Sequence, residues 1–114
     1  MDAYVLDRSD GRQDGDDWSE DYQELPGGAA VSVILESTSR AGGGPRLHRH
    51  PYAETFLIRR GSATFTVGAE RLEGHAGQVL VVPARTPHKF VTGEGGYEAV
   101  HIHANVRFVT EWLE

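Results

Sequence analysis

Cysteine is absent from this chain of 114 residues. Neither a disulfide framework nor a thiolate metal site can form, so any metal ion must be held by imidazole, carboxylate or water. Basic residues are scarce as well: eleven Lys and Arg stand against seventeen Asp and Glu, for a formal charge of -6. Spread this thinly, they offer no footprint for a phosphate backbone or an anionic lipid surface, which excludes nucleic acid as an expected partner. Long apolar runs are missing too. No stretch approaches the roughly 20 residues that cross a bilayer, and the opening Met-Asp-Ala-Tyr-Val-Leu-Asp lacks the basic region and apolar stretch of a secretory signal. No membrane partner and a cytoplasmic location are therefore expected.

What is present fits an ordinary packed domain, with 39% hydrophobic and 25% charged residues in a length that suits one core. Residues 1–29 stand apart. Asp14, Asp16, Asp17, Glu20, Asp21 and Glu24 crowd around Trp18 and Tyr22, which reads as an acidic, solvated arm packing on the barrel or on a partner subunit. Their spacing lacks the alternation and terminal glutamate of a calcium loop.

From Ala30 onward, short runs rich in Val, Ile, Phe and Thr alternate with Gly and Pro punctuation, the pattern of a sandwich or barrel over residues 30–114. Strands are expected at Ala30–Ser37, Leu47–His50, Ala53–Arg59, Ala63–Val67, Gln78–Val82, His88–Val91 and Gly96–Ala104. Breaks are expected at Arg60-Gly61, at Gly68-Ala69 and in the cluster Gly93-Glu94-Gly95-Gly96. Pro51, Pro83 and Pro87 fall at strand ends, where a missing donor is tolerated. Phe108 with Trp112, and Val109 with Leu113, repeat at i, i+4 and predict a short C-terminal helix capped by Asn105.

The chemistry concentrates between Gly42 and Gly61. On an extended strand His48 and His50 share a face with Cβ atoms about 7 Å apart, close enough to converge on one ion. Pro51 breaks the chain, and Glu54 at the start of the next strand can return to the same interior with a hard oxygen donor. A histidine pair alone is weak evidence, since His101 and His103 form a second one. Requiring Gly42, Glu54 and Gly61 as well lowers the chance expectation below about one in a thousand.

These residues resemble the first motif of the cupin superfamily, G-x5-H-x-H-x3-4-E-x6-G, matched by Gly42, His48, His50, Glu54 and Gly61. The second motif, G-x5-P-x-G-x2-H-x3-N, is matched at Gly77, Pro83 and His88, while Arg85 stands where the family has glycine and Thr92 where it has asparagine. The resemblance implies an all-β double-stranded β-helix, a jelly-roll barrel, usually homodimeric, with one divalent metal ion held inside by His48, His50, Glu54 and His88. Arg85 puts the shape of its turn in question, but neither altered position is a ligand in the family.

Three imidazoles and a carboxylate suit iron, manganese, zinc, nickel, cobalt or copper. Six-coordinate, such an ion keeps two positions for substrate, water or dioxygen; as a four-coordinate zinc its shell is closed. The expected function is metal-dependent conversion of a small organic acid, enol or related chelating molecule, by dioxygenase-like oxidoreductase chemistry or as an isomerase, lyase or cyclase. The alternative is a non-catalytic sensor or small-molecule binding module.

His101 and His103 share a strand face opposite Val100 and Ile102, and periodicity leaves open which face lines the cavity. Facing inward, they would act as general base or substrate hydrogen-bonding groups. Phe56 and Ile58, by the parity of Glu54, and Phe90 are candidate pocket residues. His75 is expected in an exposed turn, Arg59 and Arg60 at a solvated strand end, and Arg46 and Arg49 at the barrel mouth, where they could meet an acidic substrate.

Overall fold

The computed structural model describes residues 3–7, 13–15 and 17–114. Its strands are β1 (Gln13–Asp14), β2 (Asp17–Tyr22), β3 (Ser32–Thr38), β4 (His48–Arg49), β5 (Glu54–Val67), β6 (Glu70–His75), β7 (Val79–Val82), β8 (His88–His103) and β9 (Glu111–Trp112). Every pairing is antiparallel.

The framework is the long ribbon of β5 against β8, which runs from the pair Glu54 and His103 to the pair Val67 and His88. Its first half continues through β3 and β2 on one side and β7 on the other. Its second half is flanked by β6 and by β4 with β9. Folding the ribbon over itself gives two sheets facing across one core, the jelly-roll architecture.

The sequence pattern explains the fold-over. In β5 the inward residues are Glu54, Phe56 and Ile58, then Ala63 and Phe65; in β8 they are His88, Phe90 and Thr92, then Tyr97, Ala99, His101 and His103. In each strand the parity changes once, at register shifts between Ile58 and Ala63 that face the glycine cluster of β8. A parity change moves the inward set to the other face unless the strand bulges and bends. Arg60-Gly61 and Gly93–Gly96 are therefore corners within continuous strands, and not the breaks that punctuation suggested. Gly61 has φ +71°, and a Cβ there would run into the Gly96 carbonyl, so the two strands cross where only glycine fits.

Between the sheets lie Phe56, Ile58, Ala63, Phe65, Val82, Phe90, Tyr97 and Ala99. Phe65 is the hub, with ring centroids 5.0 Å from Phe56 and 5.4 Å from Phe90. This core fills one end of the sandwich and leaves the other for the polar residues described below.

Three further elements differ from expectation. The segment Phe108–Leu113 is not helical: Glu111 and Trp112 pair with Arg49 and His48, and Leu113 N–H donates to the Leu47 carbonyl at 2.9 Å. An i, i+4 apolar repeat over so few residues cannot sustain an isolated helix, whereas the open edge of β4 supplies partners immediately. β6 carries Glu-Arg-Leu-Glu-Gly-His and is almost wholly exposed, so it has no apolar alternation to announce it; it joins β5 through the two-residue turn Gly68-Ala69. The acidic stretch contributes β2, in which Asp17 and Glu20 are buried. Asp17 accepts Ser39 N–H at 2.5 Å, and Glu20 accepts the Tyr22 hydroxyl at 2.9 Å.

Candidate metal centre

Two cross-strand pairs build the centre. His48 of β4 pairs with His88 of β8 in one sheet, and Glu54 of β5 pairs with His103 of β8 in the other. The sheets face each other, so the pairs meet, and His50 joins them from the segment between β4 and β5. One donor atom from each of His48, His50, Glu54 and His88 lies within 4.8 Å of all the others, and all four residues are buried.

The outer nitrogens determine what the inner ones can do. Nδ1 of His48 lies 2.7 Å from the Arg46 carbonyl, that of His50 2.9 Å from the Val109 carbonyl, and that of His88 2.8 Å from the Thr86 carbonyl. A carbonyl only accepts, so each Nδ1 carries a proton, and a ring with no second proton turns a lone pair on Nε2 inward. Burial pushes His48 downward, which favours that neutral form.

Glu54 faces these lone pairs. Its Oε1 lies 3.0 Å from His50 Nε2 and 3.1 Å from His88 Nε2. Lone pairs facing a carboxylate at these distances repel it unless a proton or a cation lies between them. Donors bound at right angles to one divalent ion at about 2.1 Å lie about 3.0 Å apart, close to the observed contacts, and the donor set is one that divalent transition metals take. The residues fit a metal ion.

A family model described as the cupin domain matches residues 36–103. The chain is a cupin. No curated protein sequence matches it. Among solved structures, oxalate decarboxylase of Bacillus subtilis superposes with TM-score 0.77 at 22% identity, over 98% of this chain and 33% of that one. A cupin-like protein of Thermotoga maritima gives 0.75 at 17% identity, over 97% and 89%. Pumpkin seed globulin gives 0.78 at 17%, over 96% and 31%. This cupin therefore spans about a third of the oxalate decarboxylase and globulin chains, and at such identities the likeness is one of fold.

The cavity above the centre encloses about 470 Å³. His101 and His103 both face it, which answers what periodicity left open, and Phe56 and Phe90 line it. Ile58 lies deeper, within the hydrophobic core. His101 sits between Phe56 and Phe90, with ring centroids 4.7 and 5.5 Å away. Its Nε2 and the Tyr97 hydroxyl share a hydrogen bond of 2.9 Å. Burial pushes His101 down to about 4 and the Tyr97 hydroxyl upward, so at neutral pH both groups are uncharged.

The remaining sequence candidates lie elsewhere. Arg49 forms a two-pronged pair with Glu111, at 2.7 and 3.1 Å, and the Arg46 guanidinium lies 4.8 Å over the Trp112 ring; neither lines the cavity. Arg60 bonds Ser37 at 3.0 Å, and His75 ends β6, exposed.

Sequence reading missed several parts of this cupin's cavity. Phe108, Thr110 and Trp112 close one wall, while Ser19 and Asp21 of β2 with Ile34 and Glu36 of β3 form another. Tyr52, whose hydroxyl lies 2.6 Å from His103 Nδ1, was also missed, although it shares the parity of His48, His50 and Glu54.

The second motif keeps its shape despite its departures. Arg85 adopts φ +64° and donates its backbone N–H to the His50 carbonyl at 2.7 Å, so the turn expected of glycine forms with arginine. Thr92 is buried; its hydroxyl accepts Gly43 N–H at 3.0 Å and donates to the Arg40 carbonyl at 2.8 Å, clamping the glycine loop before His48.

Proposed function

We propose that this cupin binds one divalent metal ion through His48, His50, Glu54 and His88 and converts a small, oxygen-chelating organic molecule in the cavity beside it. The observation that carries the reading is the convergence of three inward Nε2 lone pairs on a buried carboxylate, each fixed by a carbonyl on the ring's far side. When bound, the ion would supply Lewis acidity towards a carboxylate or enolate or, if redox-active, oxygen chemistry of the dioxygenase type. The fold relative whose Mn(II) centres have been studied, oxalate decarboxylase of Bacillus subtilis, supports including manganese among the candidates.

The chain's own residues do the rest. Phe56 and Phe90 give the cavity an apolar wall that excludes water beside the donors. His101, held neutral and oriented by Tyr97, presents an imidazole to the bound molecule, and His103 presents another from the same strand face. Both are proposed catalytic groups.

The outward face supports a homodimer. Val79, Leu57, Val100 and Leu35 form one row across four strands, and Val81, Thr55, Ile102 and Val33 the next. Val79 and Val81 are exposed at 62% and 57%, an apolar band of the kind that marks an interaction surface.

The test is elemental analysis of the purified protein, followed by turnover and oxygen-uptake assays on small carboxylates and enols with iron or manganese restored. Turnover lost in Glu54→Ala supports the enzyme. Saturable binding without product would establish a binding module instead, and protein that takes up no metal would overturn the reading.

A further inference from the structure

The fourth histidine at the centre is wired in the opposite sense from the other three. His48, His50 and His88 each place Nδ1 against a carbonyl, which leaves a lone pair facing inward. His103 instead places Nδ1 2.6 Å from the Tyr52 hydroxyl. That hydroxyl already accepts Val109 N–H at 3.1 Å, which leaves its own proton to be placed. The proton has one partner within hydrogen-bond reach, His103 Nδ1. Were the ring to donate instead, the phenol oxygen would accept twice and its own buried proton would go unmatched.

His103 Nδ1 is therefore the acceptor, and the ring proton resides on Nε2. This nitrogen faces the cavity, and the residue is 3% exposed. It lies 3.2 Å from Glu54 Oε2 but makes no hydrogen bond among the described residues. A buried N–H without an acceptor is costly and is rarely tolerated unless something else supplies one. The ring cannot swing away: it packs edge-on against Phe108 at 4.9 Å and lies 4.7 Å from His50.

We propose that His103 is not a metal ligand but a pre-oriented donor, whose Nε2–H binds an anionic oxygen of the molecule held beside His48, His50, Glu54 and His88. The ligand class is then a carboxylate or enolate with two oxygens, one for the centre and one for His103. Tyr52 is the positioning residue, because its hydroxyl fixes which ring nitrogen carries the proton. This inference rests on the metal-site reading above, but half of its test does not.

The first measurement is long-range proton–nitrogen correlation NMR of the histidine rings, on metal-free and on zinc-loaded protein. The expected spectrum has His103 protonated on Nε2 in both forms. A proton on Nδ1 overturns the proposal, whether or not zinc binds. The second is calorimetric titration of the zinc-loaded protein with malonate, a chelating dicarboxylate.

Loss of a hydrogen bond to a charged group should weaken malonate about tenfold or more in His103→Phe. His103→Gln, which retains an N–H donor, should keep most of the affinity, and zinc affinity should change less than about threefold in both. Equal malonate affinity in wild type and His103→Phe would refute the assignment, as would a large loss of zinc affinity, which would make His103 a ligand. Should His103→Phe not fold, Tyr52→Phe serves instead, with a mixed tautomer and weaker malonate expected. Wild-type protein that takes up no zinc would sink the metal reading alone, leaving His103 to be decided by its tautomer.

Discussion

Replacing Arg85 by glycine should make this protein more stable, against the usual expectation for an arginine-to-glycine change. Arg85 occupies the third position of the turn closed by Thr86 N–H on the Pro83 carbonyl, at φ +64°, a conformation that costs a residue with a Cβ about 1–2 kcal/mol. Glycine removes that cost but gives the unfolded chain more freedom, worth about 0.4–1 kcal/mol in the opposite direction. The net gain is about 0.5–1 kcal/mol, or about 2 to 4 °C in Tm for a domain of this size. No bond is lost, because the Arg85 contact that matters is backbone N–H to the His50 carbonyl, and the side chain is exposed. Arg85→Ala is the control, since alanine keeps the strain and should stay within about 0.5 kcal/mol of wild type. Urea denaturation of the three proteins in chelator reads the difference. Arg85→Gly less stable than wild type, or Arg85→Ala gaining as much, would refute the assignment of strain to this turn.

Thr92→Val should cost about 1–2 kcal/mol by the same assay, because it removes both bonds of the hydroxyl, to Gly43 N–H and to the Arg40 carbonyl; a loss under about 0.5 kcal/mol would show the clamp to be dispensable. Acid should destabilise the metal-free protein through His101. Its folded value of about 4 lies below the 6.5 of an exposed histidine, so the unfolded chain takes up the proton first. Stability is complete above pH 6.5 and falls by about 2 to 3 kcal/mol by pH 4.5, and His101→Gln should flatten that slope; an unchanged slope would contradict it. On the proposed homodimer, wild type should run as a dimer in light scattering and the double variant Val79→Lys with Val81→Lys as a monomer; a dimer in both would remove the outward band from the interface.

Much of the centre was legible because ligation requires fixed residue types at fixed spacing. His48 and His50 two apart, Glu54 after a proline and His88 after the Gly77 and Pro83 frame could be read from the chain, and the structure brings all four together. Two strands were each read as a pair because inward parity changes at Gly61 and again at Gly93–Gly96, and punctuation does not distinguish a bulged corner from a turn. β6 and β9 owe their form to neighbouring edges rather than to their own patterning, so an apolar repeat in Phe108–Leu113 misled. Tyr52 and Thr92 act through single hydroxyls on distant partners, which no local pattern encodes.

Crystals grown with manganese, with anomalous diffraction collected above and below its absorption edge, test the central claim most directly. One peak is expected per chain, within bonding distance of Nε2 of His48, His50 and His88 and of a Glu54 oxygen, with the His103 ring outside bonding distance. Manganese seated elsewhere, or absent while those four side chains keep their positions, would contradict it.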